Sequence, residues 1–449
     1  MYHVNGVLAF ISSKIFTSSQ IKKALLSMKY RAPSGYVTQQ SENKIDINNL
    51  EETKSAVFGC KAPFIYQKTK TDIFCHGSIY SPESFNLTLN EVSGDLNKLT
   101  DKLSKVDGSF SFVTIDNDKM ICGRDLLGTK PLYIARNSKS IIVSSEPEAI
   151  TSLGLDNIDY FQPGEINRFT LKTNEIKHIP NEFKKNEHEI NMNEASVKVL
   201  EMIEKSVRNR VKKYKKVAVA SSGGVDSSLL TIITKKYTDV EIIPLSLEGS
   251  SDRVLAKKLA DRLDVNMCEI VVDNDKAQDR IMFIKKLLKT DNIMNLSIGL
   301  GINLLASITA ESNIDILVLG QLADEQFGGY ARYPRILSED GEDKLKESLK
   351  NDTLNAYRKD FPRDEKSYSP HVEASLPYAQ IDLINYSLEI PINLKINLIE
   401  DIRKVVLREA ALKAGMPEDI AYRPKKAMQY SSGLQKFVKN WLKSQEINN

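Results

Sequence analysis

Short apolar runs set off by turn residues fill the first third of the chain. Residues 7–11, 109–113 and 140–143 are of strand length, and Asp107-Gly108, Asn117-Asp118 and Asn137-Ser138 break them. That pattern predicts antiparallel sheet with a few helices over residues 1–174. Residues 175–192 are polar and aperiodic, and are expected to form a linker. From residue 193 the spacing changes. Val197, Leu200, Ile203, Val207 and Val211 recur at helical intervals, which predicts an amphipathic helix ending near residue 214. Strands at 217–220, 241–247, 267–272 and 315–319 then alternate with helices such as 229–236 and 252–263. Alternation of that kind predicts a doubly wound parallel sheet over residues 193–449, so the chain reads as α/β overall. The C-terminal part reads as helical, including 399–414, closed by Gly415 and Pro417.

Composition narrows the classes open to such a chain. Its 449 residues suffice for more than one hydrophobic core. Sixty-two basic and 59 acidic residues leave a net charge of +3, too balanced for a nucleic-acid arm or a membrane-surface patch. Cys60, Cys75, Cys122 and Cys268 are scattered without a CxxC pair. That favours buried thiols of a reducing compartment over a zinc site. The first residues lack the basic region and cleavage site of a signal peptide, and no uncharged run is read as approaching membrane-spanning length. A cytoplasmic protein is the expectation.

The strongest chemical signal is Ser221-Ser222-Gly223-Gly224-Val225-Asp226-Ser227-Ser228, between a predicted strand and a predicted helix. Two glycines let backbone N–H groups approach an anion, the serines add hydroxyl donors, and the helix N-terminus adds partial positive charge. A structural turn is the bland alternative; strand, loop and helix in register favour the anion site. No lysine lies in the loop, so it is not a Walker loop. A second segment, Gly320-Gln321-Leu322-Ala323-Asp324-Glu325, also follows a predicted strand. Asp324 alone would read as a helix cap, but at the same sheet edge as Asp226 the two carboxylates suit Mg²⁺. In Arg423-Pro424-Lys425-Lys426, a lysine could stabilise charge on a departing phosphate group, although Lys-Lys in a loop is commonly solvated surface.

The glycine loop resembles the PP-loop of ATP pyrophosphatases, which split ATP between its α and β phosphates. Further segments extend the likeness: Asp107-Gly108-Ser109-Phe110, Gly123-Arg124-Asp125-Leu126-Leu127-Gly128, Ser145-Glu146-Pro147-Glu148-Ala149, Leu245-Ser246-Leu247 and, more weakly, Lys404-Val405-Val406-Leu407-Arg408. In this order they resemble the asparagine synthetase family over nearly the whole chain. The family joins a class II glutamine amidotransferase domain, an antiparallel α+β fold of the Ntn-hydrolase type, to a PP-loop synthetase domain. The resemblance implies ATP as substrate with Mg²⁺. It implies that Ser222, Gly223, Gly224, Asp226, Ser227 and Ser228 hold pyrophosphate and that Leu247 and Gly320 border the nucleotide. It further implies that Asp226 and Asp324 hold the metal and that Lys425 contacts pyrophosphate. The implied reaction activates a carboxylate as an acyl-adenylate, from which an amine displaces AMP.

Several positions depart from the family. Tyr2 stands where amidotransferases carry a nucleophilic cysteine, and a phenol with a pKa near 10 cannot replace a thiolate. The family's glutamine-binding Asn-Gly-Glu reads His76-Gly77-Ser78, and Cys75 reads as a buried thiol. Gln321 takes the place of a glutamate in the amine step, and Ser375 and Gln380 replace an Arg and an Asp near the substrate. The expectation is therefore a synthetase using ammonia or another amine, not glutamine, on aspartate or a related small carboxylic acid. No nucleic-acid or membrane partner is expected; a homodimer or a separate nitrogen-donor protein is. Ring closure of the β-lactam synthetase kind and an inactive homologue serving as a binding scaffold remain alternatives. A tRNA-modifying PP-loop enzyme is the third, and the balanced charge counts against it.

Overall fold

The computed structural model describes residues 2–39, 41–62, 73–82, 85–181, 190–221, 223–244, 251–268, 274–423 and 433–447. The chain divides into two compact units: Met1–Glu182 with Tyr357–Glu365, and Phe183–Ala356 with Lys366–Asn449.

The first unit contains thirteen strands among its described residues. They are Tyr2–Val4 (β1), Val7–Phe16 (β2), Tyr36–Thr38 (β3), Ser41–Ile45 (β4), Thr53–Cys60 (β5), Phe74–Ser81 (β6) and Asp107–Asp116 (β7). Lys119–Arg124 (β8), Tyr133–Arg136 (β9), Ser140–Ser144 (β10), Asp159–Tyr160 (β11), Glu165–Phe169 (β12) and Asn174–His178 (β13) complete them. One sheet runs β1-β6-β7-β8-β12-β13 and the other β11-β9-β10-β2-β5-β3-β4. Period-two alternation gives each sheet two apolar faces. Val7, Ala9, Val57 and Val143 of one sheet join Val4, Phe74, Val113 and Cys122 of the other in a core between them. The outer face of one sheet packs Leu8, Phe10 and Phe58 on helices Ser18–Ser27 (α1) and Pro147–Ser152 (α4). The other packs Cys75, Phe110 and Phe112 on Leu89–Ser93 (α2) and Leu96–Ser104 (α3). The result is four layers, α-β-β-α. All four cysteines are buried, and none is in a disulfide.

Residues 175–178, expected to begin the linker, instead belong to β13, which pairs with β12. The Thr170 hydroxyl accepts from the Lys172 and Thr173 amides and closes the turn that reverses the chain, and Arg168 pairs with Glu175 at 2.9 Å.

The second unit begins with Met192–Val211 (α5), whose N-terminus is capped by the Asn191 side chain. Its sheet is formed by Lys216–Ala220 (β14), Asp239–Ile243 (β15), Asn266–Met267 (β16), Ile316–Val318 (β17) and Glu373–Ser375 (β18). The order is β16-β15-β14-β17-β18 and every pairing is parallel. Its helices include Val225–Lys235 (α6), Ser251–Leu263 (α7), Asn274–Leu288 (α8), Ile293–Glu311 (α9), Ala323–Phe327 (α10), Arg332–Asp340 (α11), Glu342–Leu354 (α12), Ile381–Glu389 (α14) and Val405–Lys413 (α15); Asp360–Tyr368 (α13) includes the boundary at Glu365.

Two sequence expectations are corrected here. One helix, α9, is long and apolar enough to cross a membrane, contrary to the first reading. It is a core helix: 72% of the apolar window is buried inside the protein. Residues 399–414 are not one helix. They include part of a hairpin, Ile396–Asn397 (β19) with Ile402–Arg403 (β20), and α15 starts only at Val405. The Asn397 carboxamide accepts from the Ile399 and Glu400 amides, and Asp401 and Lys404 take φ of 51° and 62°, which ends helical geometry on both sides of β20.

Candidate active site

In the parallel sheet, β15 lies on one side of β14 and β17 on the other. Chain order therefore reverses between β14 and β17, and the loops leaving their carboxyl ends diverge to leave a crevice. Both segments singled out from the sequence begin there. After β14, Gly223 adopts φ +68° and Gly224 caps α6, so the first amides of the helix face the loop. The Ser221 hydroxyl accepts from the Gly223 amide at 3.3 Å, while the Ser227 hydroxyl donates to the Gly224 carbonyl at 3.3 Å. The buried Ser228 hydroxyl has no hydrogen-bond partner, a donor left for a ligand.

After β17, Gly320 passes beside Asp226 and leads through Leu322 into α10, which carries Asp324. Lys404 bridges the two loops. Its Nζ lies 2.6 Å from Asp226 Oδ2 and 2.6 Å from Asp324 Oδ1, with the lysine 1% exposed. Lys404 offsets part of the charge of the two carboxylates. The donors are oxygens only, the set that Mg²⁺ takes alongside phosphate and water, and Asp226 and Asp324 fit that ion.

Backbone strain surrounds this pair. Leu322 and Lys404 both sit at positive φ, 71° and 62°, a conformation that costs a residue with a Cβ about 1–2 kcal/mol. Such strain persists where neighbouring structure over-determines a site. At Gly329 an added Cβ would overlap Asp324 Oδ1 and Lys404 Cε, so only glycine lets the chain pass. Burial, then Asp226 and Asp324, push the Tyr378 hydroxyl well above its ordinary pKa, and it donates to the Asp226 carbonyl at 3.0 Å.

Of the residues expected at the site, Gly223, Gly224, Asp226, Ser227, Ser228, Gly320 and Asp324 gather around this crevice. Gln321 occupies the half-exposed turn between Gly320 and α10. Ser222, Leu247 and Lys425 lie outside the described residues. Ser375 ends β18 beside β17, with its buried hydroxyl unpartnered. Gln380 is structural: it caps α14 through the Leu383 amide at 2.7 Å. Sequence reading missed Lys404, Gly329 and Arg423, whose guanidinium donates to the Gly223 carbonyl at 3.3 Å. Lys404 and Arg423 stood in quoted segments, but a single basic residue carries no sign of its partners.

The first unit answers the other question. His76 is fully buried and engaged at both ring nitrogens, by Glu365 and Ser145, each at 3.2 Å. Cys75 points to the opposite, apolar face of the sheet.

The asparagine synthase family profile matches residues 198–371 and 338–447, more than half of the chain. The chain belongs to the asparagine synthase family. A glutamine amidotransferase domain profile matches residues 59–152. Among relatives, a putative glutamine-hydrolysing asparagine synthetase of Methanocaldococcus jannaschii is 30% identical over 389 residues, 75% of this chain and 71% of that protein. The glutamine-hydrolysing asparagine synthetase of Cricetulus griseus is 24% identical over 434 residues, 85% of this chain and 74% of that protein. This membership makes the protein one of the asparagine synthetase-like, ATP-dependent ligases with an amidotransferase-like N-terminal unit.

Proposed function

We propose that this asparagine synthase family member forms an amide from a small carboxylic acid of the aspartate type and ammonia or another amine, through an acyl-adenylate. The convergence of the Gly223-Gly224 loop with Asp226, Asp324 and Lys404 at the β14–β17 crevice carries this reading. A substrate carboxylate oxygen attacks the α-phosphorus of ATP, the bond to the β-phosphate oxygen breaks, and pyrophosphate leaves. The amine nitrogen then attacks the acyl carbon, the carbon–oxygen bond to AMP breaks, and the nitrogen gives up a proton. Loop amides and the Ser227 and Ser228 hydroxyls bind the phosphates, and Asp226 and Asp324 would hold a divalent cation that offsets phosphate charge. Lys425 is assigned to pyrophosphate. Gln321 is assigned a place beside the acyl group, where its amide can orient the amine but cannot accept its proton.

Glutamine is excluded as donor in this proposal. His76, in the family's glutamine-binding segment, is closed off by Glu365 and Ser145, and Cys75 faces apolar neighbours. The test is product analysis with ATP, Mg²⁺, ammonia and a panel of amino acids. AMP and pyrophosphate are expected, and Asp226→Asn or Asp324→Asn should abolish both. ADP as product, or no acid-dependent turnover, would sink the proposal. Glutamate release from glutamine would refute the choice of donor alone.

A further inference from the structure

Arg408 joins parts of the crevice that lie far apart in the chain. It sits one turn into α15, where its amide donates to the Lys404 carbonyl at 3.0 Å. Helical side chains lean toward the N-terminus, and this one turns back over the start of its own helix. Arg408 is 4% exposed, and its guanidinium reaches three main-chain carbonyls. Nε donates to Arg403 at 2.7 Å, and Nη1 donates to Ala421 and to Arg423, the latter at 3.0 Å. Buried carbonyls need donors, and a charged donor makes the stronger bond. The Asp226 charge also acts on this guanidinium.

Each of these carbonyls belongs to a segment that leads into the candidate site. Arg403 precedes Lys404, whose Nζ bridges Asp226 and Asp324. The Arg403 side chain donates to the Gly329 carbonyl at 2.7 Å, where the chain passes beside Asp324. Ala421 closes Glu418–Ala421 (α16). Two residues on, the Arg423 guanidinium donates to the Gly223 carbonyl at 3.3 Å. Its Nη1 lies 2.9 Å from where a Cβ on Gly223 would stand, so the guanidinium rests against the loop at its positive-φ glycine. One buried arginine thus holds the backbone beside two cations of the crevice, Lys404 on the aspartates and Arg423 on the glycine loop. Lys404 keeps a φ of 62° only because neighbouring bonds over-determine it, and the bond to the Arg403 carbonyl is one of them.

We propose that Arg408 is a positioning residue: it sets Lys404 and Arg423 in one frame, and Arg423 meets the phosphates that the Gly223-Gly224 loop binds. The assignment rests on the reading of that loop as a phosphate site, to which it adds a cation and the residue that aims it. A lysine at position 408 keeps the charge but not the function. Its ammonium is a single point, whereas the planar guanidinium spans carbonyls of separate segments.

The probe is inorganic pyrophosphate with Mg²⁺, titrated calorimetrically into the full-length protein below the melting temperature of every variant. Wild type should bind it. Arg423→Met and Arg408→Lys should each weaken binding about ten-fold or more, the size of a lost hydrogen bond to a charged group. Because Arg408 acts through Arg423, the double variant should bind no more weakly than the weaker single variant. Losses that multiply show independent action and overturn the proposal. An Arg408→Lys protein that melts lower yet binds pyrophosphate as wild type does has lost a merely structural bond, which also overturns it. If Arg408→Lys is not recovered folded, Arg423→Met decides, and unchanged affinity there removes the group that Arg408 aims. A wild type blind to pyrophosphate defeats the reading of the loop and this proposal together. Binding by wild type with unchanged variants defeats this proposal alone.

Discussion

At the scale of single residues, the candidate site divides by whether a residue's role is local. Asp226 and Asp324 were legible because each sits in a short run whose spacing, after a strand and before a helix, fixes where its side chain goes. Lys404 was not, because its role depends on two carboxylates 178 and 80 positions earlier in the chain and on an αL backbone that no spacing announces. Lys404→Met should therefore do more than remove a charge. Breaking a buried ion pair while its partners stay buried costs about 3–5 kcal/mol, and the partial exposure of Asp226 and Asp324, 11% and 20%, points to the lower end. The variant should melt lower than wild type, and Mg²⁺ should raise its melting temperature more than it raises that of wild type. An equal Mg²⁺ response in both proteins would show that the ion does not meet this pair. Gly329→Ala offers a second check. Its methyl group would displace Asp324 and Lys404, so pyrophosphate release should fall sharply. Gly341→Ala, at φ +87° with open space around it, should cost stability but leave turnover unchanged.

At the scale of elements, β14, β17, α6 and α7 fell close to their expected places, since alternation of apolar runs is a local property, whereas β18 was not expected and residues 269–272 of an expected strand lie outside the described residues. Two elements show where such reading stops. Ile396, Ile399 and Ile402 repeat at three-residue intervals that fit a helix, yet the structure turns a hairpin through them. Ile396 is 3% exposed and Ile399 is 97% exposed, so the repeat does not mark one buried face. What decided the outcome was the Asn397 side chain satisfying two turn amides, a competition that favours turns over helix. Helix α9 shows the converse. Uniform apolarity resembles a membrane span, and only the packing around it identifies a core. These elements predict a contrast. Ile396→Ala, in the cluster with Tyr333, Leu345 and Leu349, should cost about 2–5 kcal/mol. Ile399→Ala should change stability by less than about 0.5 kcal/mol. Chemical denaturation midpoints compare the two directly, and equal losses would mean that the hairpin is not formed as described.

At the scale of the whole molecule, buried histidines set how each unit responds to acid. Burial lowers His76 to about 4, and burial with Arg280 nearby lowers His371 to about 4. For both, the folded value lies below the ordinary 6.5, so the unfolded chain binds the proton first. Their contribution to stability is present above pH 6.5 and is lost as pH falls from there toward 4. Glu365 follows at lower pH. Burial alone would raise its carboxyl, but Arg31 and His76 hold it well below the usual range, so its contribution is lost below about pH 4.5. The groups facing His76 are Glu365, Arg31 and Lys130; Arg31 and Glu365 keep their charges between pH 7 and 5, the guanidinium raised and the carboxyl held low by each other. His76 should therefore account for a loss on the order of 3 kcal/mol in the first unit across its window, His76 being fully buried. His76→Gln should be less stable than wild type at pH 7 but should lose less between pH 7 and pH 5. His371→Gln should flatten the same slope for the second unit. Calorimetry at the two pH values is the appropriate measurement, because two units need not unfold in one transition. If His76→Gln loses stability with the wild-type slope, the imidazole is not neutral in the folded protein, and its bond to Glu365 is an ion pair whose proton is already bound at pH 7.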